Sequence, residues 1–121
     1  MNMGISTRLS DEIARYLDIS AAQAKLTAAN MANVDTPGYK TAGLDFQGEM
    51  RQAIEDIASG DKSHNISVQH VDGLVARPDG NDVSVDRESL NLAEAQLQFR
   101  AGIALLRQQY QREMDAIHAD K

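Results

Sequence analysis

The chain contains no cysteine and no tryptophan, and only two of its 121 residues are proline. Without cysteine, neither a disulfide bridge nor a thiolate metal site can form. The absence of thiols does not fix the compartment, because such a chain tolerates oxidising and reducing surroundings alike.

Bulky apolar side chains are scarce as well. Leu, Ile, Val and Phe together supply 26 of the 121 residues, and the aromatic side chains are those of Phe46, Phe99, Tyr16, Tyr39 and Tyr110. A small domain with so few large side chains buries little core of its own. We therefore expect one domain at most, with part of its stability supplied by contacts with partners.

The formal net charge is -6. A nucleic-acid binder needs a basic face against the phosphates, and an acidic surface is repelled by anionic lipid. No apolar run is long enough to span a membrane. The first residues also lack the charged and apolar regions of a cleaved secretory signal. We expect no nucleic-acid partner, and any export must follow a route that needs no such signal.

The first of three zones is a predicted helix from about Ser10 to Asn33. Its second half is nearly all alanine along the predicted buried stripe, so it favours a helix that needs a close neighbour. Acidic residues at positions 11–12 suit the first turn, where the helix dipole favours negative charge. The stripe has helical spacing and consists of Ile13, Leu17, Ala21, Ala24, Ala28 and Met31.

A tight turn is predicted directly after this helix. Pro37 excludes the helical conformation at Thr36 and supplies no backbone donor. Pro37 and Gly38 fit the two central positions of a type II turn from Thr36 to Tyr39, because glycine tolerates the positive φ of the second position. Asn33 can satisfy backbone groups that the helix end leaves free.

The middle zone, residues 41–83, is mixed. Met50, Ile54 and Ile57 have the spacing of a short amphipathic helix that ends at Gly60, a suitable residue just beyond a helix C-terminus. Alternation around residues 66–68 and 74–76 favours a weak hairpin or an extended arm. A turn-forming cluster occupies residues 77–81.

The third zone, from about Ser84 to Ala119, predicts a long helix with a continuous apolar stripe. Additional apolar residues at positions 90, 97, 104 and 105 widen the surface enough for more than one helix neighbour. The prediction is a mainly α fold of two long terminal helices in an antiparallel, coiled-coil-like pair, divided as 1–40, 41–83 and 84–121. The stripe consists of Leu92, Ala95, Phe99, Ile103, Leu106, Tyr110, Met114 and Ile117.

No constellation of catalytic or metal-binding residues is evident. The histidines, at positions 64, 70 and 118, do not form a ligand set. Asp79, Asn81 and Val83 begin like a calcium loop, but an apolar fifth position and Leu90 at the twelfth do not fit one. We expect no catalytic residue, no cofactor and no metal, with residues 79–84 forming a turn that caps the last helix.

The densest polar group surrounds the predicted turn. Asn30, Asn33, Asp35 and Thr36 either close a helix end through local hydrogen bonds or form a fixed surface that a neighbouring subunit can approach. Their residue types do not decide between the two interpretations.

Two motifs resemble those of a known family. Ala29-Asn30-x-Ala32-Asn33-x-x-Thr36-Pro37-Gly38-Tyr39-Lys40, followed by Leu44-Asp45-Phe46, resembles the signature of the flagellar axial proteins of the rod and hook. Gly80-Asn81-x-Val83-x-x-Asp86-Arg87-Glu88 is similar to the proximal-rod branch of that family. The matches cover both terminal helices and the turn, roughly half of the chain.

The resemblance implies a structural subunit of the proximal rod of the flagellar basal body, exported unfolded through the type III apparatus and assembled in the periplasm. Its implied partners are other rod subunits, the basal adaptor protein, the MS ring and the export apparatus, in homo- and hetero-oligomeric contacts without a small-molecule substrate. The terminal helices would then pack together and against neighbours in a helical tube.

The predicted subunit interface combines the turn with the stripe of the last helix. Phe46 and Met50 additionally resemble a short export-gate element, although Phe46 packing on the short helix explains the same pattern. A small helical adaptor or chaperone of a type III secretion system remains an alternative, and a metal-dependent hydrolase a more distant one. The interface residues are Asn30, Asn33, Thr36, Pro37, Gly38, Tyr39, Leu92, Phe99, Ile103, Leu106 and Tyr110.

Overall fold

The computed structural model describes residues 3–119, and the side chains of residues 8–119. The elements follow in the order α1 (Met3–Ala32), β1 (Ala42–Gly43), α2 (Phe46–Ser59), β2 (Gln69–His70) and α3 (Val85–Ala119). The mainly α prediction is therefore confirmed. Residues 1–2 and 120–121 of the predicted segments lie outside the described residues, and the division into three segments stays a prediction.

Helix α1 begins earlier than the sequence pattern indicates. It starts at Met3, so the predicted start at about Ser10 is wrong and its first turn contains no acidic residue. Asp11 and Glu12 therefore lie inside the helix. At 1.5 Å per residue, the 30 residues of α1 span about 45 Å.

The predicted short helix is confirmed as α2, and both of its ends are capped. The side chain of Asp45 accepts a hydrogen bond from the backbone of Gly48 at 3.2 Å. Gly60 ends the helix with a φ of 77°, in the left-handed region where glycine carries no side-chain penalty.

The small sheet of the middle region pairs strands that are distant in sequence. β1 and β2 run antiparallel, with Ala42 opposite His70 and Gly43 opposite Gln69. A two-stranded sheet is present as predicted, but its strands lie at residues 42–43 and 69–70. They do not occupy the alternating stretches around 66–68 and 74–76.

Helix α1 lies between the other two helices. It packs on both α2 and α3, and α3 packs on no other described element. A Cβ added at Gly102 of α3 would lie 2.6 Å from Leu17 Cδ2 and 3.0 Å from Tyr16 Cδ1, which shows how closely the two long helices approach. Tyr16 also receives the ring of Phe46 from α2, in an edge-to-face contact at 5.4 Å.

The interior of the fold contains more polar than apolar side chains. The predicted stripe of α1 is partly wrong, because Ala21 and Ala28 are exposed. Likewise α3 meets α1 along a line rotated from its predicted apolar stripe. The buried apolar residues are Ile13, Ile19, Ala53, Val83 and Ala95, and the buried polar residues are Ser20, Thr27, Asn30, Thr41, Glu49, Asp56, Asn81, Asp82, Glu88 and Gln109.

Candidate functional site

The turn after α1 has the geometry that its sequence predicts. Gly38 has a φ of 75°, and the backbone of Tyr39 donates to the carbonyl oxygen of Thr36 at 3.2 Å. Asn33 closes the helix end, since its amide donates to the Ala29 carbonyl at 2.8 Å. The Thr36 hydroxyl donates to the amide oxygen of Asn33 at 3.0 Å. The predicted turn and helix stop are therefore confirmed.

Asn30 joins the end of α1 to β1. Its amide nitrogen donates to the Ala42 carbonyl at 2.8 Å, and its amide oxygen accepts from the Ala42 backbone at 3.0 Å. The same oxygen accepts from the Tyr39 hydroxyl at 3.1 Å. Asn30 is 1% exposed, so these partners within the chain satisfy an amide that water cannot reach.

A second turn, formed by residues 77–81, lies directly against the first. The backbone of Gly38 donates to the Asp79 carbonyl at 2.9 Å. A Cβ added at Gly80 would approach Gly38 Cα to 3.4 Å, and Gly80 has a φ of 87°. Glycine at both positions therefore allows the two backbones to meet.

Asn81 fastens the two turns together. Its amide nitrogen donates to the carbonyl oxygens of Asn33 and Thr36, both at 2.8 Å, and its amide oxygen accepts from the Val83 backbone at 2.9 Å. Its side chain is inaccessible to solvent. One buried amide thus links the end of α1 to the segment that enters α3.

Asp82 makes a further link between the same segments. Its carboxylate accepts from the backbone of Thr41 at 2.7 Å and from the Thr41 hydroxyl at 2.8 Å. Burial alone would raise the pKa of Asp82. The two hydrogen bonds from Thr41 and the charge of Lys40 outweigh it and hold the pKa below its ordinary value of 3.8.

The two sequence motifs therefore form one structure, which we call the junction: residues 30–41 together with residues 77–83. Of the predicted interface residues, those at positions 30, 33, 36, 37, 38 and 39 lie here. The hydrogen bonds just described join all of these except Pro37 within one chain. Sequence reasoning missed the roles of Thr41 and Asp82, which local spacing does not signal. It predicted residues 79–84 as a capping turn, and the Ser84 hydroxyl does accept from the Arg87 backbone at 3.3 Å.

The other predicted interface residues lie on one side of α3, beside its contact with α1. Leu92 and Ile103 are partly buried. Phe99 is 40%, Leu106 36% and Tyr110 63% exposed. These side chains thus form a half-covered apolar edge, and the buried contact line itself is formed by Glu88, Ala95, Gly102 and Gln109.

The two residues of the predicted export element lie on α2. Phe46 begins this helix, and its ring contacts Tyr16 of α1. Met50 lies one turn later and is partly buried. Phe46 thus belongs to the short helix and packs onto α1, and an export role stays a prediction.

The described residues contain no group of three or more His, Cys, Asp or Glu side chains placed to hold a metal ion. Between Met3 and Ala119, every helix is too short or too polar to cross a bilayer. An open groove of about 270 Å³ lies between the small sheet and the two long helices, and Gln23, Arg87 and Asn91 are among its lining residues. None of the predicted interface residues lines it.

Comparison with known proteins finds relatives that match most of the chain. No model of a known protein family matches it. The flagellar basal body rod protein FlgB of Salmonella typhimurium strain LT2 is 31% identical over 84% of this chain and 86% of the relative. That of Escherichia coli K12 is 28% identical over 85% and 88%, and that of Borrelia hermsii 31% identical over 69% and 76%.

The Salmonella and Escherichia coli alignments each cover more than four fifths of this chain and of the relative. The chain belongs to the FlgB family of flagellar basal body rod proteins.

Proposed function

We propose that this chain is a structural subunit of the proximal rod of the bacterial flagellar basal body and polymerises through its two terminal helices. The observation that carries the proposal is the uncovered apolar surface of α3. This helix packs on α1 alone among the described elements, while Leu90 is 70%, Leu97 69% and Tyr110 63% exposed. Large apolar side chains left uncovered on more than one side of a helix favour an interaction site.

Helical assembly suits this surface. Contacts that join different faces of identical or related subunits generate filaments and tubes when the rotation between neighbours does not close a ring. The proposed neighbours are other rod subunits, the basal adaptor protein and the MS ring. The rod would connect the membrane base to the outer structures, transmit torque and surround the export channel.

The proposed route to the periplasm is export of the unfolded chain through the type III apparatus. The aromatic contact between Phe46 and Tyr16 supports this order of events. A gate that recognises Phe46 and Met50 needs these side chains free, and in the folded subunit both are partly buried.

The role is structural and not catalytic. The buried polar groups of the junction connect backbone segments to one another, as the amides of Asn30 and Asn81 show. Residues used in this way position the chain and are closed off from a substrate.

Deletion of the gene tests the proposal. We expect non-motile cells whose inner-membrane base still forms and whose rod is missing, with both defects restored by the gene in trans. Complete rods in the deletion strain would contradict it. A chain recovered in a discrete soluble complex, and absent from purified basal bodies, would favour the adaptor or chaperone alternative.

A further inference from the structure

The side of α3 turned away from α1 carries a line of uncovered leucine side chains. Leu90 and Leu97 are 70% and 69% exposed, and Ala104 follows at the same interval of seven residues. Residues seven apart lie above one another on a helix and face one neighbour. We call Leu90, Leu97 and Ala104 the leucine line. It lies apart from the predicted stripe of α3.

Helix α1 exposes a complementary line of small residues. Ala14, Ala21 and Ala28 are exposed and are also seven residues apart. We call them the alanine line. Methyl groups at this spacing leave shallow positions into which leucine side chains of another helix fit, and they allow the two helix axes to approach closely.

The packing inside one chain fixes the relative height of the two lines. The closest neighbours of Gly102 are Tyr16 and Leu17. Gln23, one to two turns later on α1, lies near Asn91 and Glu94, which precede Gly102 on α3. The two helices therefore run in opposite directions. If a second copy lies beside the first with no shift along the helix axes, which we call equal height, Leu90 of the first copy lies opposite Ala28 of the second. The same placement opposes Leu97 to Ala21, and Ala104 to Ala14.

The same placement brings opposite charges together. Lys25 on α1 and Glu94 on α3 are both exposed, and neither forms an ion pair with another described residue. In the equal-height arrangement, Lys25 of the second copy stands at the level of Glu94. Helical periodicity puts both residues on the flank that meets in an antiparallel pair. Size and charge thus agree on a single register.

We propose that the leucine line of one subunit docks on the alanine line of a second copy of this chain at equal height, with Glu94 paired to Lys25. This inference rests on the proposed rod function and deepens it, because it names the two faces, their register and the ion pair. It identifies a contact between two different faces of the chain, which can repeat from one subunit to the next.

Cysteine pairs test the register directly, because the natural chain contains no cysteine. We expect oxidation of purified basal bodies to give a ladder of covalent multimers for Ala21→Cys with Leu97→Cys, and for Ala28→Cys with Leu90→Cys. Neither pair can close within one chain, because Leu90 and Leu97 follow Glu88 and Ala95 by two residues and so lie on the side of α3 opposite its contact with α1.

The matched control is Ala14→Cys with Leu90→Cys. It uses the same two faces but displaces the sulfurs by 14 residues, about 21 Å along the helix, far beyond disulfide reach. A ladder from the matched pairs that the control lacks supports the proposal. Equal ladders from both, or none from the matched pairs, overturn it.

Charge reversal provides a test that does not depend on cross-linking. We expect Lys25→Glu and Glu94→Lys each to reduce the amount of chain in basal bodies, and the double variant to restore it. Circular dichroism of the purified variants should show unchanged helix content. A double variant no better than the single ones overturns the ion pair.

The two proposals fail differently. If natural basal bodies lack the chain, the rod function and the docking both fall. If natural basal bodies contain the chain and the matched cysteine pairs do not link, only the docking falls.

Discussion

Two asparagine side-chain amides hold the junction together by hydrogen bonding to backbone N–H and C=O groups, as neighbouring strands of a sheet do. Asn30 pairs with both the N–H and the C=O of Ala42, and Asn81 donates to two carbonyl oxygens while it accepts from a backbone N–H. An amide is suited to this task because it is both donor and acceptor and carries no charge. No other amino acid has a side chain of the same shape as asparagine that is both a hydrogen-bond donor and an acceptor.

Replacing Asn30 by alanine tests how much these hydrogen bonds contribute to the free energy of unfolding. Asn30→Ala leaves the N–H and C=O of Ala42, which is partly buried, without their side-chain partners. We expect the free energy of unfolding to fall by about 2–4 kcal/mol, measured by chemical denaturation. Asn65→Ala, at an exposed loop position, is the control and should change it by less than about 0.5 kcal/mol. Equal effects would show that the Asn30 bonds contribute little.

Asp82 should make stability depend on acidity in a defined direction. Its pKa in the folded chain lies below the ordinary value of 3.8, so its stabilising contribution is complete above that pH. The contribution is lost as the pH falls through the lowered pKa. We expect Asp82→Asn to be less stable than the parent at pH 6, and the difference to shrink below pH 3.8.

Denaturation at a series of pH values between 2.5 and 6 measures this difference. Asp72→Asn, at an exposed position in the loop after β2, should follow the parent throughout. A gap between the parent and Asp82→Asn that is constant over the whole series would contradict the assignment.

At the scale of the elements, the sequence predicts where the helices are better than which side of them is buried. The spacing of apolar residues correctly indicates helices at both ends of the chain. The buried residues of the two helices, however, include the polar Ser20 and Thr27 of α1 and Glu88 and Gln109 of α3. A search for apolar periodicity passes over these polar residues, because they are buried by the close approach of the helices and not by their own hydrophobicity.

Gly102 allows that close approach, and a larger residue should oppose it. The added side chain of Gly102→Val meets Leu17 and Tyr16 within contact distance. We expect thermal and chemical unfolding to show a loss of about 1–3 kcal/mol. Ala101→Val places the same side chain on the exposed neighbouring position and should cost about 0.5 kcal/mol, from helix propensity alone. Equal losses would mean that Gly102 is not a point of tight contact.

At the scale of the whole molecule, two long-range contacts could not be predicted from the sequence. Asn81 lies 48 residues from Asn33, and its spacing gives no sign that the two meet. β1 likewise pairs with β2, and the whole of α2 separates these two strands in the sequence. Long-range contacts of this kind depend on the packing of all the elements together. The motifs at residues 29–40 and 80–88 could be identified separately, and the structure shows that they are halves of one junction.

The apolar edge of α3 should matter for assembly more than for folding. Phe99 is 40% exposed and lies beside the contact with α1. We expect Phe99→Asp to preserve the helix content of the isolated chain and to abolish rods and motility, because a charge is costly in an interface that excludes water. Gln96→Asp, another exposed position of α3, is the control. Motile cells with normal rods in the Phe99→Asp strain would show that this edge is not part of the subunit interface.

The hydrogen bonds between Asn30 and Ala42 also hinder aggregation of the chain through the open edge of its sheet. Val71 donates to the Thr41 carbonyl, so the groups of Ala42 point away from β2, towards what would be the open edge of the sheet. The Asn30 amide occupies both of them. An incoming strand therefore finds no free donor or acceptor at that position, and the sheet is protected there from growing into the continuous ribbons of aggregated protein.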